Sequence, residues 1–177
     1  MANRQALREL QERLAHRLQA ARANELQGAS WLAVQLSGHR YLVPLDQSGE
    51  IFPWQQLLRV PYTQYYFFGV ANLRGNLAGV VDLGHFLQHP IERSEQSLQE
   101  VSLLTMNPLL QSNTALVIDS LQGLRAPSDF VSTELVAQDE QALSLVDAIY
   151  TDKAGDEWSL LNLQRLVQLP DFLNVRV

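Results

Sequence analysis

Two stretches of this chain repeat one another and limit what it can fold into: "VVDLGHFLQHP" (80–90) and "LLNLQRLVQLP" (160–170) align without a gap. They share Leu83 with Leu163, Gln88 with Gln168 and Pro90 with Pro170. Each reads as an apolar strand end, an Asp or Asn that caps a short amphipathic turn, and a proline that stops it. An Asx side chain accepts an orphan backbone N–H at a helix start, and proline cannot continue a helix. A second pair, "YLVPLDQSGEIFP" (41–53) and "ALVIDSLQGLRAP" (115–127), shares four of thirteen positions. "WLAVQL" and "VSLLTM" precede them in the same order. The chain therefore reads as two copies of one small β unit, roughly 30–90 and 101–170, joined by the polar connector "HPIERSEQSLQE" (89–100). Units of about 60 residues leave much of their surface unburied when alone, so their mutual packing has to contribute to stability.

Short apolar runs punctuated by Gly, Pro, Asp and Asn predict strands at 31–36, 40–45, 66–73, 77–82, 101–106, 114–118, 143–149 and 157–161, an all-β barrel or sandwich pattern. Residues 3–26 differ in texture. Leu7, Leu10, Leu14 and Leu18 fall at helical spacing, with Arg4, Arg8, Arg13, Arg17 and Arg22 on the remaining surface, and Gly28 supplies a stop. The spacing predicts an N-terminal amphipathic helix within 1–28, locally basic because its five arginines outweigh Glu9, Glu12 and Glu25. The whole chain nevertheless carries a net charge of −6, which argues against a general nucleic-acid binder. With no cysteine, thiolate metal sites, disulfides and cysteine nucleophiles are excluded. No secretory signal and no apolar run of about 18 residues is present, so a cytoplasmic location without membrane insertion is expected.

Signals for catalysis are weak. Gly69 and Gly75 fit neither a P-loop nor a dinucleotide fingerprint. His85 and His89 are four apart, yet no H-E-x-x-H pattern completes a metal site, and no cofactor is expected. The carboxylates Asp139, Glu140, Asp147, Asp152, Asp156 and Glu157 could serve an acid-base hydrolase, but such clusters more often mark a solvated loop. A small-molecule-binding β-barrel is the other alternative. The aromatic stretch "PWQQLLRVPYTQYYFFG" (53–69) reads mostly as core packing, with an exposed subset available as interface anchors.

"GVANLRGNLAGVVDL" (69–83) reads as a hairpin with "RGN" at its turn, where glycine permits positive φ. Arg74 would then stand out from the turn, either solvated or paired with a local carboxylate, or as an anchor for a protein partner.

The stretch "FFGVANLRGNLAGVVDL" closely resembles the signature hairpin of CheW-like domains. The match lies in the Asn-Leu-Arg-Gly core (Asn72, Leu73, Arg74, Gly75) and in Val80, Val81, Asp82 and Leu83 after it. The resemblance extends from about Trp31 to Leu169 and takes in the "VP" and aromatic segment 60–68 and "TALVIDSLQGL" (114–124). It implies an all-β fold of two small SH3-like five-stranded β-barrels packed side by side with short capping helices, occupying 30–177. It also implies a non-enzymatic adaptor that connects the cytoplasmic tip of a methyl-accepting chemoreceptor to a CheA-type histidine kinase, through the kinase's own CheW-like regulatory domain. Asn72, Leu73, Arg74 and Gly75 would lie at or near the protein-binding surface, with Asp82 as a cap. Ala71, Gly79 and Gly84 depart from the usual bulky aliphatic, proline and arginine. The basic N-terminal segment and the Gln-rich sequence look more like the PilI branch, which serves type IV pilus systems controlling twitching motility.

Overall fold

The computed structural model describes residues 30–136 and 145–177. The predicted helix at 3–26, and Asp139 and Glu140, lie outside the described residues. Among the described residues, eleven strands form two sheets. They are β1 (Trp31–Leu36), β2 (His39–Pro44), β3 (Ser48–Pro53), β4 (Phe67–Leu73), β5 (Asn76–Val81), β6 (Ser102–Met106), β7 (Thr114–Ile118), β8 (Ser120–Arg125), β9 (Phe130–Leu135), β10 (Val146–Asp152) and β11 (Glu157–Leu161). Four single-turn helices join them: α1 (Leu83–Phe86), α2 (Glu95–Leu98), α3 (Leu163–Leu166) and α4 (Pro170–Leu173). The expected all-β architecture holds, with sheets of six and five strands ordered β8-β1-β2-β11-β10-β9 and β3-β6-β7-β5-β4.

Neither sheet is one half of the sequence. The similar segments make β1 the counterpart of β6, β2 of β7, β3 of β8 and β5 of β11. Each β1-type strand pairs antiparallel with the β3-type strand of the other half, as β1 with β8 and β6 with β3. Each β2-type strand runs parallel to the β5-type strand of the other half, as β2 with β11 and β7 with β5. The halves thus exchange their first hairpins reciprocally. Unfolding one half removes strands from both sheets, which is a topological reason for the two to be stable only together. β9 makes the first sheet six-stranded, and in the second the corresponding edge of β4 is met by a single bridge, Leu58 to Val70.

Side-chain alternation sorts the apolar residues into three clusters. Between the sheets lie Leu32, Val34, Val43, Val81, Leu104, Leu116, Ile118 and Leu161, joined by Leu83 and Leu163 from the helices. The opposite face of the five-stranded sheet buries Ala71, Leu73, Val80, Leu103 and Val117. That of the six-stranded sheet buries Trp31, Ala33, Leu42 and Trp158. The expected caps are in place: Asp82 Oδ1 accepts from the His85 N–H at 3.1 Å, and Asn162 Oδ1 from that of Arg165 at 2.8 Å. Pro170 does more than stop a helix, because it is the first residue of α4 and its fixed φ suits that position.

Tyr66 ties the C-terminus to this framework. Its hydroxyl donates to the Asp171 carbonyl at 2.5 Å, and burial, followed by the nearby Asp171 carboxylate, raises its pKa. Tyr66→Phe is expected to cost about 1 kcal/mol at neutral pH. A raised folded pKa gives stability that is complete below the ordinary phenol value of about 10 and is lost as pH rises through the folded value. Urea titrations of the two proteins should therefore converge in alkali.

Candidate functional site

The β4–β5 hairpin turns at Arg74 and Gly75, whose φ values of 54° and 90° define a type I′ turn between the paired residues Leu73 and Asn76. Glycine adopts this conformation freely, whereas arginine does so at a cost of about 1 kcal/mol. Local contacts hold the turn. Asn72 Oδ1 accepts the Gly75 N–H at 2.7 Å. Arg74 Nη1 lies 2.6 Å from Glu50 Oε2, and its guanidinium sits 5.3 Å from the centre of the Phe52 ring. Glu50 and Phe52 are two apart on β3 and so project on one face. Because β3 and β4 are opposite edges of the five-stranded sheet, this contact requires the sheet to curl until its edges approach.

The structure bears out the local pairing expected of Arg74. It is paired with a local carboxylate, yet its side chain remains 71% exposed. An exposed pair of this kind contributes at most about 1 kcal/mol to stability, so it orients the guanidinium more than it holds the fold. Asn72 and Gly75 are exposed beside it, while Leu73 is buried under the hairpin and anchors it from within.

A second constellation was not legible from spacing. Arg93, in the polar connector, has only 5% of its side chain exposed. Its Nη1 binds Asp82 Oδ2, and its Nη2 and Nε reach Asp119 Oδ1 at 2.8 and 2.9 Å. Asp119 also accepts the Ser37 N–H at 2.5 Å. Asp82 follows β5, Asp119 separates β7 from β8, and Ser37 turns β1 into β2, so one guanidinium fastens the connector where the two sheets meet. His85 Nδ1 stands 3.2 Å from Asp82 Oδ2 without hydrogen-bond alignment.

A model of the CheW-like domain matches residues 30–171, most of the chain and nearly all of the described fold. The chain belongs to the CheW-like domain family. The family is one of non-enzymatic coupling and scaffolding proteins of chemosensory systems. This CheW-like chain is 25% identical over 158 residues to the protein PilI of Pseudomonas aeruginosa, covering 89% of this chain and 85% of that one. It is 24% identical over 132 residues to the chemotaxis protein CheW of Bacillus subtilis, covering 68% and 85% respectively. The crystal structure of the scaffolding protein TtCheW from Thermoanaerobacter tengcongensis superposes with a TM-score of 0.63 at 15% identity, over 82% of this chain and 96% of that one.

Two departures from the CheW-like pattern, Gly79 and Gly84, lie where this fold leaves little room for a larger side chain. A Cβ at Gly84 would fall 1.7 Å from Ser37 Oγ, and one at Gly79 would fall 2.8 Å from the Phe67 ring. A larger residue at either position would require these neighbours to shift. Of the candidate carboxylates, Asp147, Asp152 and Asp156 are engaged structurally, and Glu157 is exposed on β11. Asp147 pairs with Arg165 at 3.1 Å and accepts from Asn162, and Asp156 pairs with Arg40 at 3.2 Å. Asp152 accepts from the Trp158 indole N–H at 3.0 Å, which, ahead of its backbone donors, lowers its pKa. His89 packs against His39 at 5.4 Å, and among the described residues no group of three or more His, Asp or Glu side chains is placed to hold a metal. No described helix is long and apolar enough to cross a membrane.

Proposed function

We propose that this protein is a cytoplasmic adaptor that couples a methyl-accepting chemoreceptor to a CheA-type histidine kinase, in a system that controls type IV pilus twitching motility. The observation that carries the reading is the β4–β5 hairpin on a CheW-like framework, which keeps a guanidinium oriented and exposed at a rigid turn. The pilus assignment is supported by the similarity to PilI, which extends over more of this chain than the similarity to CheW. The protein needs no cofactor and binds neither nucleic acid nor a bilayer interior in this role. It acts by position: two simultaneous contacts raise the effective concentration of receptor and kinase. Signal passes only if one contact differs in free energy between kinase-on and kinase-off states, since a uniform tether shifts nothing.

Arg74 is assigned as one anchor, with Asn72 and Gly75 beside it and Leu73 holding the turn from below. Arg74→Glu places a carboxylate beside Glu50 and reverses the charge shown to the partner. The expected result is at least about tenfold weaker binding to receptor or kinase in a pull-down from native extract, with a stability loss within about 1 kcal/mol. A folded variant that retains wild-type affinity for both partners removes Arg74 from the interface.

A further inference from the structure

Among the described residues the two sheets have four edges, β8 and β9 on one and β3 and β4 on the other, and three of the four are blunted. β4 is covered by the segment before it, where Leu58 and Val70 exchange backbone hydrogen bonds at 2.8 and 2.9 Å. β3 ends at Pro53 and is drawn toward β4 by the Glu50–Arg74 pair. β8 is mostly half-buried, and its pairing is broken by a register shift opposite Ala33 and Val34.

β9 has none of these protections. Residues 131–135 are all exposed, Val131 to 65% and Leu135 to 81%, and among the described residues the strand pairs only with β10. It contains no proline, glycine or lysine. Its register shift falls at its start, between Phe130 and Ser132, which leaves 132–135 in regular pairing. A regular, uncovered edge presents a row of N–H and C=O groups on which another strand can form.

The faces and charges of β9 specify that strand. Thr133 and Leu135 project on the side of Tyr150 and Ala148, their partners on β10, and the Tyr150 ring packs against Trp31 and Phe130. Leu135 therefore prolongs the apolar cluster of the six-stranded sheet past the last covered strand. Ser132 and Glu134 project on the opposite side. Glu134 is the one charged residue of the strand and forms no ion pair among the described residues. The surrounding sequence, 126–152, contains six carboxylates and no lysine or arginine. A second copy of the chain would set two such stretches side by side, and like charges across a strand pair destabilise it. A basic strand meets the opposite charge.

We propose that β9 takes up an extended basic segment of a partner protein as a further strand of the six-stranded sheet. The segment alternates, with apolar side chains beside Leu135 on the core side and Lys or Arg side chains beside Glu134 on the other. Main-chain hydrogen bonds supply the attachment, and the alternating side chains supply the selectivity. The Arg74 hairpin belongs to the five-stranded sheet, so this contact goes beyond the coupling role and does not depend on it.

The test uses the full chain and three fluorescent ten-residue peptides: alternating Arg-Val, alternating Glu-Val, and an Arg-Val copy N-methylated at every residue. Anisotropy should show the Arg-Val peptide binding about fivefold more tightly than its Glu-Val twin. The methylated copy should not bind, because it keeps the charge and loses the ladder donors. Glu134→Lys should reverse the order of the first two peptides, while Glu100→Lys, a reversal beside the start of β6, should preserve it. Both glutamates are exposed, so each variant should melt within a few degrees of the wild type. Bound Arg-Val peptide should slow amide hydrogen exchange at the outward-facing positions of β9. Equal affinity for the two charged peptides, absence of saturable binding, binding of the methylated copy, or a preference that survives Glu134→Lys overturns the proposal. Protection of the outward amides without peptide also overturns it. Protection that grows with protein concentration assigns the edge to a second copy, and protection independent of concentration assigns it to the chain's own residues.

Discussion

Arg93→Ala is expected to lower stability by about 3–5 kcal/mol, the cost of breaking a buried ion pair from one side. The wild-type cluster sets one guanidinium against two carboxylates. Of these Asp82 is 1% exposed and Asp119 has 21% of its side chain exposed. Truncation leaves the Asp82 carboxylate with the His85 N–H at 3.1 Å and the Ser37 hydroxyl at 3.4 Å as its remaining donors. Arg93→Lys should recover only part of the loss, because an ammonium cannot reproduce the fork that reaches both acids. Arg93→Met with Asp82→Asn should be milder than Arg93→Ala, since charges of both signs leave together. Urea unfolding measures all three variants. A loss below about 1 kcal/mol for Arg93→Ala would mean that water replaces the guanidinium and the clasp is not structural. Limited proteolysis adds a local readout, because the freed 89–100 connector should be cut first.

This clasp also marks where the sequence stops being informative. Asp82 and Asn162 are legible as caps because capping is local: the acceptor and the N–H it satisfies are three residues apart. The Arg74–Gly75 turn is legible for the same reason, since two residues fix its geometry. Arg93 sits in a polar connector and reads as solvated. Its partners are 11 and 26 residues away, and they converge only because the two halves exchange hairpins. β3, β8 and β9 were missed as strands on similar grounds. "SGEIFP" carries Gly and Pro, "SLQGLR" carries a central Gly, and "FVSTEL" is exposed along most of its length, so each is a strand through its neighbour and not through its own alternation. Residues 143 and 144 of the predicted strand 143–149 lie outside the described residues; the described strand runs over 146–152, paired to β11 with a register shift between Val146 and Ala148 that no period-two pattern shows. Glu50 and Phe52 were invisible as site residues for a related reason. They meet Arg74 because a sheet curls, and curvature leaves no mark on spacing.

Gly49→Ala is expected to cost about 3 kcal/mol or more and to disturb the Arg74 surface as well. Gly49 lies in β3 where the register against β6 shifts between Ser48 and Ile51. A Cβ there would fall 2.2 Å from Thr105 Oγ1, 2.6 Å from the Thr105 carbonyl oxygen and 2.7 Å from that of Met106. Rotating Thr105 removes only the first clash and gives up two hydrogen bonds, one from the Glu50 N–H at 2.7 Å and one to the Glu50 carbonyl at 3.1 Å. The two carbonyls are backbone, so the strands must separate or the bulge must open. Overpacking costs about 1–3 kcal/mol, and each buried polar group left unsatisfied adds about as much. The displaced residue adjoins Glu50, so the carboxylate that orients Arg74 moves with it, and partner binding should weaken alongside the midpoint of unfolding. Thr105→Ala alone should cost about 1–2 kcal/mol, and adding it to Gly49→Ala should recover little, because the carbonyls remain. Gly75→Ala is the contrasting case: nothing lies within 4 Å of the added methyl, and φ of 90° costs about 1 kcal/mol through backbone conformation alone. Equal losses at Gly49 and Gly75 would show that the β3 bulge relaxes freely and that the orientation of Arg74 does not depend on it.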